Sequence, residues 1–331
     1  MQLSLPLWAS ARPRVAPRPA ALARATVPGG WMSRDEAIMG TAIRVELWAA
    51  NRRAGEAAID AVMAEMHRID RCYSPHKTDS ELSRINRDAH AGPVEVSDEI
   101  FMLLRRAVEC SRRSGGAFDI TYASVGCLFD YRRGIHPDEK ALARARACVG
   151  WQHLLLDEAR RTVAFAREGV RIDLGGFAKG HAVDLATGLL RRHGIAHAMV
   201  AAGGDSRVLG DRRGRPWTIA IRHPRKPAEV IAVLPLEDVA ISTSGDYERF
   251  FDKGGRRYHH LIDPSTGRSP DHVHSVTVLA PDGLTSEGLS KSVFVLGVER
   301  GLALIEQTPG TDAVVVDADG ALHFSSGLQR H

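Results

Sequence analysis

Ile43, Val45 and Leu47 alternate with Arg44 and Glu46, the period of two that marks a half-buried β-strand. The period then changes. Ala58, Val62, Met66 and Ile69 form one stripe at helical spacing and predict a helix over 54–70. Ile100, Leu103, Leu104, Ala107 and Val108 follow the i, i+3, i+4, i+7 rule for a second helix. Ser97 is its expected N-cap, Asp98 and Glu99 suit its first turn, and Gly115-Gly116 is its expected stop. Beyond residue 150, strand patterns fall at 154–156, 162–165, 171–174, 198–201, 217–221, 230–234, 239–243, 257–262 and 275–279. Helical patterns interrupt them at 177–193 and 285–307. Runs of strands with a few helices predict an α+β fold rather than a doubly wound parallel sheet.

The chain has 331 residues, of which 44% are hydrophobic and 25% charged. This is a globular composition with ample length for a core. No repeat and no long linker divides it. The expected organisation is one compact domain over 32–331, with a bilobed form as the alternative. Residues 1–31 carry Pro6, Pro13, Pro17, Pro19 and Pro28, which block a continuous helix. They read as a disordered leader, or as residues upstream of a true start at Met32. A degenerate export signal is the other reading, although no apolar core of a signal peptide stands out. No uncharged apolar stretch approaches the roughly 18 residues of a membrane-spanning helix. The net charge is +4, with Arg spread along the chain and no basic stripe, which argues against a nucleic-acid module. Cys72, Cys110, Cys127 and Cys148 form no C-x-x-C pair and read as ordinary thiols.

Neither a P-loop nor a G-x-G-x-x-G fingerprint is present. Glycine-rich strand ends bearing acids and hydroxyls stand out instead. Arg171 through Asp184 runs from an apolar strand into Gly175-Gly176 and a helix. The opening N–H groups suit a phosphate, and Lys179 adds positive charge. An ordinary strand–turn–helix corner is the alternative. Gly203-Gly204-Asp205 and Ile241 through Tyr247 are similar strand ends, and each taken alone reads more readily as a plain turn. His259 and His260 fall on opposite faces of a regular strand, so one is expected at a site and the other in solvent. Asp263-Pro264-Ser265-Thr266-Gly267 closes that strand as a turn. His272 and His274 are able to share a face and read as a surface pair. Thr285 is the expected cap of the last long helix. Glu287 and Lys291 sit four apart, either as a helical ion pair or as a carboxylate aimed at a cation.

In this order these segments resemble the ApbE family of flavin transferases. The resemblance is carried by Met39-Gly40-Thr41, Asp79 through Asn86, Gly116 through Thr121, Asp173 through Asp184, Gly203-Gly204-Asp205, Thr243 through Tyr247, His260 through Gly267 and Val293 through Gly297. It spans about residues 38–327. It implies a T-fold-like α+β domain with mixed or antiparallel sheets and packed helices. It also implies an enzyme that cleaves FAD, passes FMN to a Thr or Ser hydroxyl of an acceptor flavoprotein as a phosphoester, and releases AMP, with Mg²⁺ as the family's usual cation. Metal-dependent FAD hydrolysis and non-catalytic flavin binding are the competing readings. Many members act outside the cytoplasm, which leaves localisation open here.

By position, the resemblance places Met39, His76, Ala117, Phe118, Asp119, Asp173, Lys179 and Ile262 around FAD. It makes His260, Asp263 and Lys291 the catalytic candidates, and Gly176, Glu287, Ser290 and Lys291 the metal positions. This chain departs from the pattern there, with Glu287 for the common Asp and Lys291 for the common Thr. A protonated lysine has no lone pair for a metal. Three arrangements follow from sequence. Lys291 swings out and leaves a weaker metal site, or its ammonium replaces part of the metal's charge at the pyrophosphate, or catalysis is lost.

Overall fold

The structure is a computed structural model in which residues 29–226 and 228–329 are described. The leader expected at 1–31 lies mostly outside them, but its last two residues, Gly30 and Trp31, already belong to a strand. β1 (Gly30–Ile38) and β2 (Thr41–Ala49) form a hairpin. As the alternation predicts, Ile43, Val45 and Leu47 are fully buried. α1 (Arg52–Tyr73) buries the expected stripe, with the Asn51 side chain accepting from Ala54 N–H. α2 (Glu81–Asp88) and β3 (Val94–Glu95) lead to α3 (Asp98–Arg113). Ser97 caps α3 as expected, and Glu81 binds the Ser97 backbone N–H and hydroxyl at 2.6 and 2.8 Å.

Short helices α4 (Ala123–Gly126) and α5 (Glu139–Arg146) precede β4 (Leu154–Asp157) and β5 (Thr162–Phe165), which pair with β3. Then come α6 (Ala178–Arg192), β6 (Ala198–Ala202), β7 (Asp205–Leu209), the hairpin β8 (Trp217–Arg222) and β9 (Val230–Leu236), and β10 (Ala240–Gly245). A small hairpin of β11 (Phe250–Lys253) and β12 (Arg256–His259) is followed by β13 (Val273–Ala280), α7 (Gly283–Glu306), β14 (Asp312–Asp317) and β15 (Leu322–Phe324).

The main sheet is antiparallel throughout, in the order β1-β2-β6-β7-β10-β13-β14-β15. Its two ends do not pair, so the sheet is open. α1 packs on β1 and β2, α6 on β6 and β7, and α7 on β10, β13 and β14, with each helix touching the next. The main core lies beneath α1 and α6 and a second buried cluster beneath α7, and Trp217 covers part of the opposite face over Val208, Ile241 and Leu279. The α+β reading therefore holds, as antiparallel sheets with packed helices.

Three local expectations are corrected. The strand expected at 171–174 does not form, because side chains take the bonds a neighbouring strand would make. The Asn86 amide both donates to Ile172 O and accepts from Ile172 N–H, each at 2.8 Å. Ser124 Oγ accepts from Arg171 N–H at 2.9 Å. The strand expected at 257–262 stops at His259, where the chain turns into the Asp263 loop. The cap of α7 is Asp282, which accepts from Thr285 N–H and Oγ1. α7 is also broken at Gly297, whose φ of 80° no helix accommodates.

Candidate active site

The site grows from the crossing of α6 and α7. A Cβ on Gly180 would lie 2.2 Å from Gly283 O, and one on Gly283 2.3 Å from Gly180 O. Only the absence of both side chains lets the two backbones meet. One turn along α6, Asp184 accepts from Gly283 N–H at 2.8 Å and Leu284 N–H at 3.2 Å, and pairs with Arg207. Gly283, Glu287 and Lys291 are four residues apart and share one face of α7. The crossing therefore sets Lys179 against Glu287.

Four charged side chains gather there. Lys179 Nζ pairs with Glu287 Oε1 and lies 2.9 Å from Asp205 Oδ2. Lys291 Nζ is 3.3 Å from Glu287 Oε1 and 4.0 Å from Asp205 Oδ1. Glu287 Oε2 accepts from Gly180 N–H at 2.7 Å. The helix-opening donor that suits a phosphate is thus already bound by a carboxylate of the protein. Two ammonium groups balance two buried carboxylates. Burial alone would lower the Lys179 pKa, but Asp205 and Glu287 outweigh it and hold it above its ordinary value. Burial likewise pushes Asp205 up, and the charges of Lys179 and Lys291 bring it below the usual carboxylate range.

Hydroxyl groups brace the acids. Ser242 Oγ donates to Asp205 Oδ1 at 2.5 Å and lies 2.9 Å from Ser290 Oγ. Ser290 also contacts Ser244 Oγ at 2.9 Å and donates to Glu287 O at 2.9 Å. Ser290 is fully buried in this chain of hydroxyls. It anchors α7 to β10 through these contacts. Lys291 is turned inward, with its Cε 3.5 Å from the Cβ position of Gly176, so it is not swung out of the site.

The donor set does not fit a divalent cation. Glu287 Oε1 faces two ammonium groups and Oε2 holds a backbone N–H. Among the described residues no three His, Cys, Asp or Glu side chains gather around a common point. A Mg²⁺ at Glu287 would meet positive charge where it requires oxygen ligands.

His260 lies within electrostatic reach of Lys291 and Lys179. Burial, reinforced by His259, Lys291, Arg249 and Lys179, lowers its pKa to about 3, so the imidazole is neutral near pH 7. Its Nδ1 is buried and lacks a hydrogen-bond partner. The expectation that one neighbouring histidine faces solvent fails. His259 is buried at an edge-on 5.5 Å from the Phe294 ring, and its Nε2 lies 2.8 Å from Pro270 O. His274 belongs elsewhere, 2.7 Å from the Arg225 guanidinium that grips Asp246.

The other expected residues divide into two groups. Met39 and Gly40 form the β1–β2 turn with φ of 55° and 69°, the positive pair of a tight hairpin. That tip lies beside Arg249 and Gly203: a Cβ on Gly40 would be 3.6 Å from the Arg249 guanidinium, and one on Gly203 2.6 Å from Thr41 Oγ1. Asp173 Oδ1 accepts from Gly175 N–H at 2.5 Å, while Oδ2 has no protein partner among the described residues. These groups remain available to a ligand.

Several others act as supports. Asp119 accepts from Thr121 N–H, Thr121 Oγ1 and Trp151 N–H with both oxygens. Ala117 is buried, and Phe118 packs at 5.3 Å on Phe177 under the start of α6. Ile262 is buried with Val125 and Leu142. The Asp263 carboxylate accepts from Ser265 N–H, Ser265 Oγ and Thr266 Oγ1. It shapes the loop after His260, and among the described residues no hydrogen bond or ion pair joins it to the charged cluster. His76 is exposed in the turn after α1, and no hydrogen bond joins it to the cluster. Sequence reasoning left Asp205 and Gly180 out of the site. Both lay in recognised glycine-rich segments, but neither spacing revealed the partner.

The ApbE family model matches residues 39–315. A Treponema pallidum protein named FAD:protein FMN transferase is 35% identical over 320 residues, covering 89% of this chain and 87% of its own length. A Haemophilus influenzae protein of the same name is 35% identical over 260 residues, covering 75% of this chain and 74% of its own. The crystal structure of the ApbE protein from Thermotoga maritima aligns with a TM-score of 0.84 at 31% identity, covering 91% of this chain and 98% of that one. The flavin transferase ApbE from Vibrio cholerae aligns with a TM-score of 0.79 at 30% identity, covering 91% and 99%. By sequence and by fold, this chain belongs to the ApbE family.

Proposed function

We propose that this protein transfers FMN from FAD to a Thr or Ser hydroxyl of an acceptor protein and releases AMP. The observation that carries the reading is the meeting of Lys179, Lys291, Glu287 and Asp205 within electrostatic reach of a neutral, unpartnered His260, in a chain whose relatives bear that activity in their names. Phosphoryl transfer depends mainly on positioning and on positive charge at the phosphate oxygens. Lys179 and Lys291 supply that charge. The Met39–Gly40 tip and Asp173 Oδ2 are free to hold the flavin nucleotide, and Phe118 and Asp119 hold the framework behind them.

In the transfer step the acceptor hydroxyl oxygen bonds to the phosphorus on the riboflavin side of the pyrophosphate. The bond from that phosphorus to the bridging oxygen breaks, and AMP leaves with the oxygen. His260 takes the hydroxyl proton. Its low pKa in the free protein keeps it unprotonated, and arrival of the negative pyrophosphate raises its basicity when it is needed. No step passes through a divalent cation.

His260→Asn keeps a polar side chain but removes the proton acceptor. The transfer rate is expected to fall about 10²-fold, the lower range for loss of general base catalysis, while FAD affinity measured by flavin fluorescence stays within a few-fold. A variant that labels an acceptor at the wild-type rate would remove His260 from the reaction.

A further inference from the structure

We propose that in this chain the Lys291 ammonium occupies the role of a catalytic divalent cation, so that flavin transfer proceeds without added metal. This rests on the transferase reading above. Three observations carry it. Lys291 Nζ lies 3.3 Å from Glu287 Oε1, the oxygen a metal would need, and its stem packs against Gly176. Glu287 is fully buried and both its oxygens are engaged by Lys179, Lys291 and Gly180 N–H. Ser290, the neighbouring hydroxyl, is held by Ser242, Ser244 and Glu287 O.

The charge balance points the same way. Asp205 and Glu287 contribute two negative charges, and the two lysines neutralise them. In the free protein this leaves no uncompensated carboxylate to draw a divalent cation into the site before the pyrophosphate arrives. An ammonium has three donors and no lone pair. It is therefore able to release one carboxylate contact and donate to a pyrophosphate oxygen, delivering positive charge without coordination geometry.

The test separates metal binding from turnover. Mn²⁺ binding to the purified protein is followed by the loss of the free-ion EPR signal, and transfer from FAD is followed separately in EDTA. Wild type is expected to bind Mn²⁺ only with a dissociation constant above about 1 mM, at the weak end for oxygen-ligand sites. It is expected to keep its transfer rate in EDTA. Lys291→Thr restores an oxygen and removes the charge. It is expected to bind Mn²⁺ at least tenfold more tightly, to lose EDTA-resistant transfer, and to regain transfer with Mg²⁺. Lys291→Met keeps the packed stem and should also lose EDTA-resistant transfer, which guards against misfolding of the threonine variant. Micromolar Mn²⁺ binding by wild type, or wild-type transfer that stops in EDTA and returns with Mg²⁺, overturns the proposal. If no protein transfers flavin under any condition, the transferase reading fails, while the Mn²⁺ comparison still decides whether Lys291 holds the metal's place.

Discussion

Replacing Gly180 with alanine is expected to abolish flavin transfer and to destabilise the fold by about 3 kcal/mol, the upper range for overpacking a close contact. The new Cβ would stand 2.2 Å from Gly283 O and 2.9 Å from Leu284 N. Both are backbone atoms, so no side chain can swing away. α7 would have to retreat from α6, carrying Glu287 and Lys291 away from Lys179. The Gly180 N–H bond to Glu287 Oε2 would break as well. Gly188→Ala is the control, on the same helix. Its nearest contact is the flexible end of Arg192, at 3.5 Å, and alanine favours a helix over glycine by up to about 1 kcal/mol. Thermal unfolding and transfer assays on both variants check this. Equal effects at the two glycines would mean that the α6–α7 approach does not build the site.

Lys179→Met is expected to reduce transfer at least about 10³-fold, because it removes positive charge from the phosphate site. It leaves Asp205 and Glu287 facing only Lys291 among the ammonium groups of the cluster. Breaking a buried ion pair by removing one partner costs about 3–5 kcal/mol. The lower figure is expected here, because the Lys179 side chain is 22% exposed and solvent screens part of the loss. Adding Glu287→Gln to Lys179→Met restores the charge balance and should recover most of the stability. It should not recover transfer. If the double variant regains both, Lys179 serves the fold alone.

Periodicity was enough to predict α1, α3 and β2, whose buried faces depend on local spacing. The corner at 171–174 misled it, because Asn86 offers that segment a side chain in place of a strand, from 86 residues away. The site was partly legible. Lys179, Glu287, Lys291 and Gly176 stand in segments where glycine and charge coincide. What they contact was not legible. Lys179 and Glu287 are 108 residues apart, and only the glycine-to-glycine crossing makes them neighbours. Ser290 and Asp263 show the converse. Their residue types suit a metal or a reacting proton, yet nearby hydroxyl and amide groups already hold them.

The most direct test of the transferase reading measures AMP release and flavin on the acceptor in one reaction, using purified full-length protein, FAD and an acceptor protein with an accessible flavinylation motif. One AMP for each acceptor that gains FMN by intact-mass spectrometry, with little AMP when the acceptor is omitted, is the expected result. AMP and free FMN produced at the same rate without acceptor would contradict it and assign the site to hydrolysis, and bound FAD with no AMP would contradict it as well.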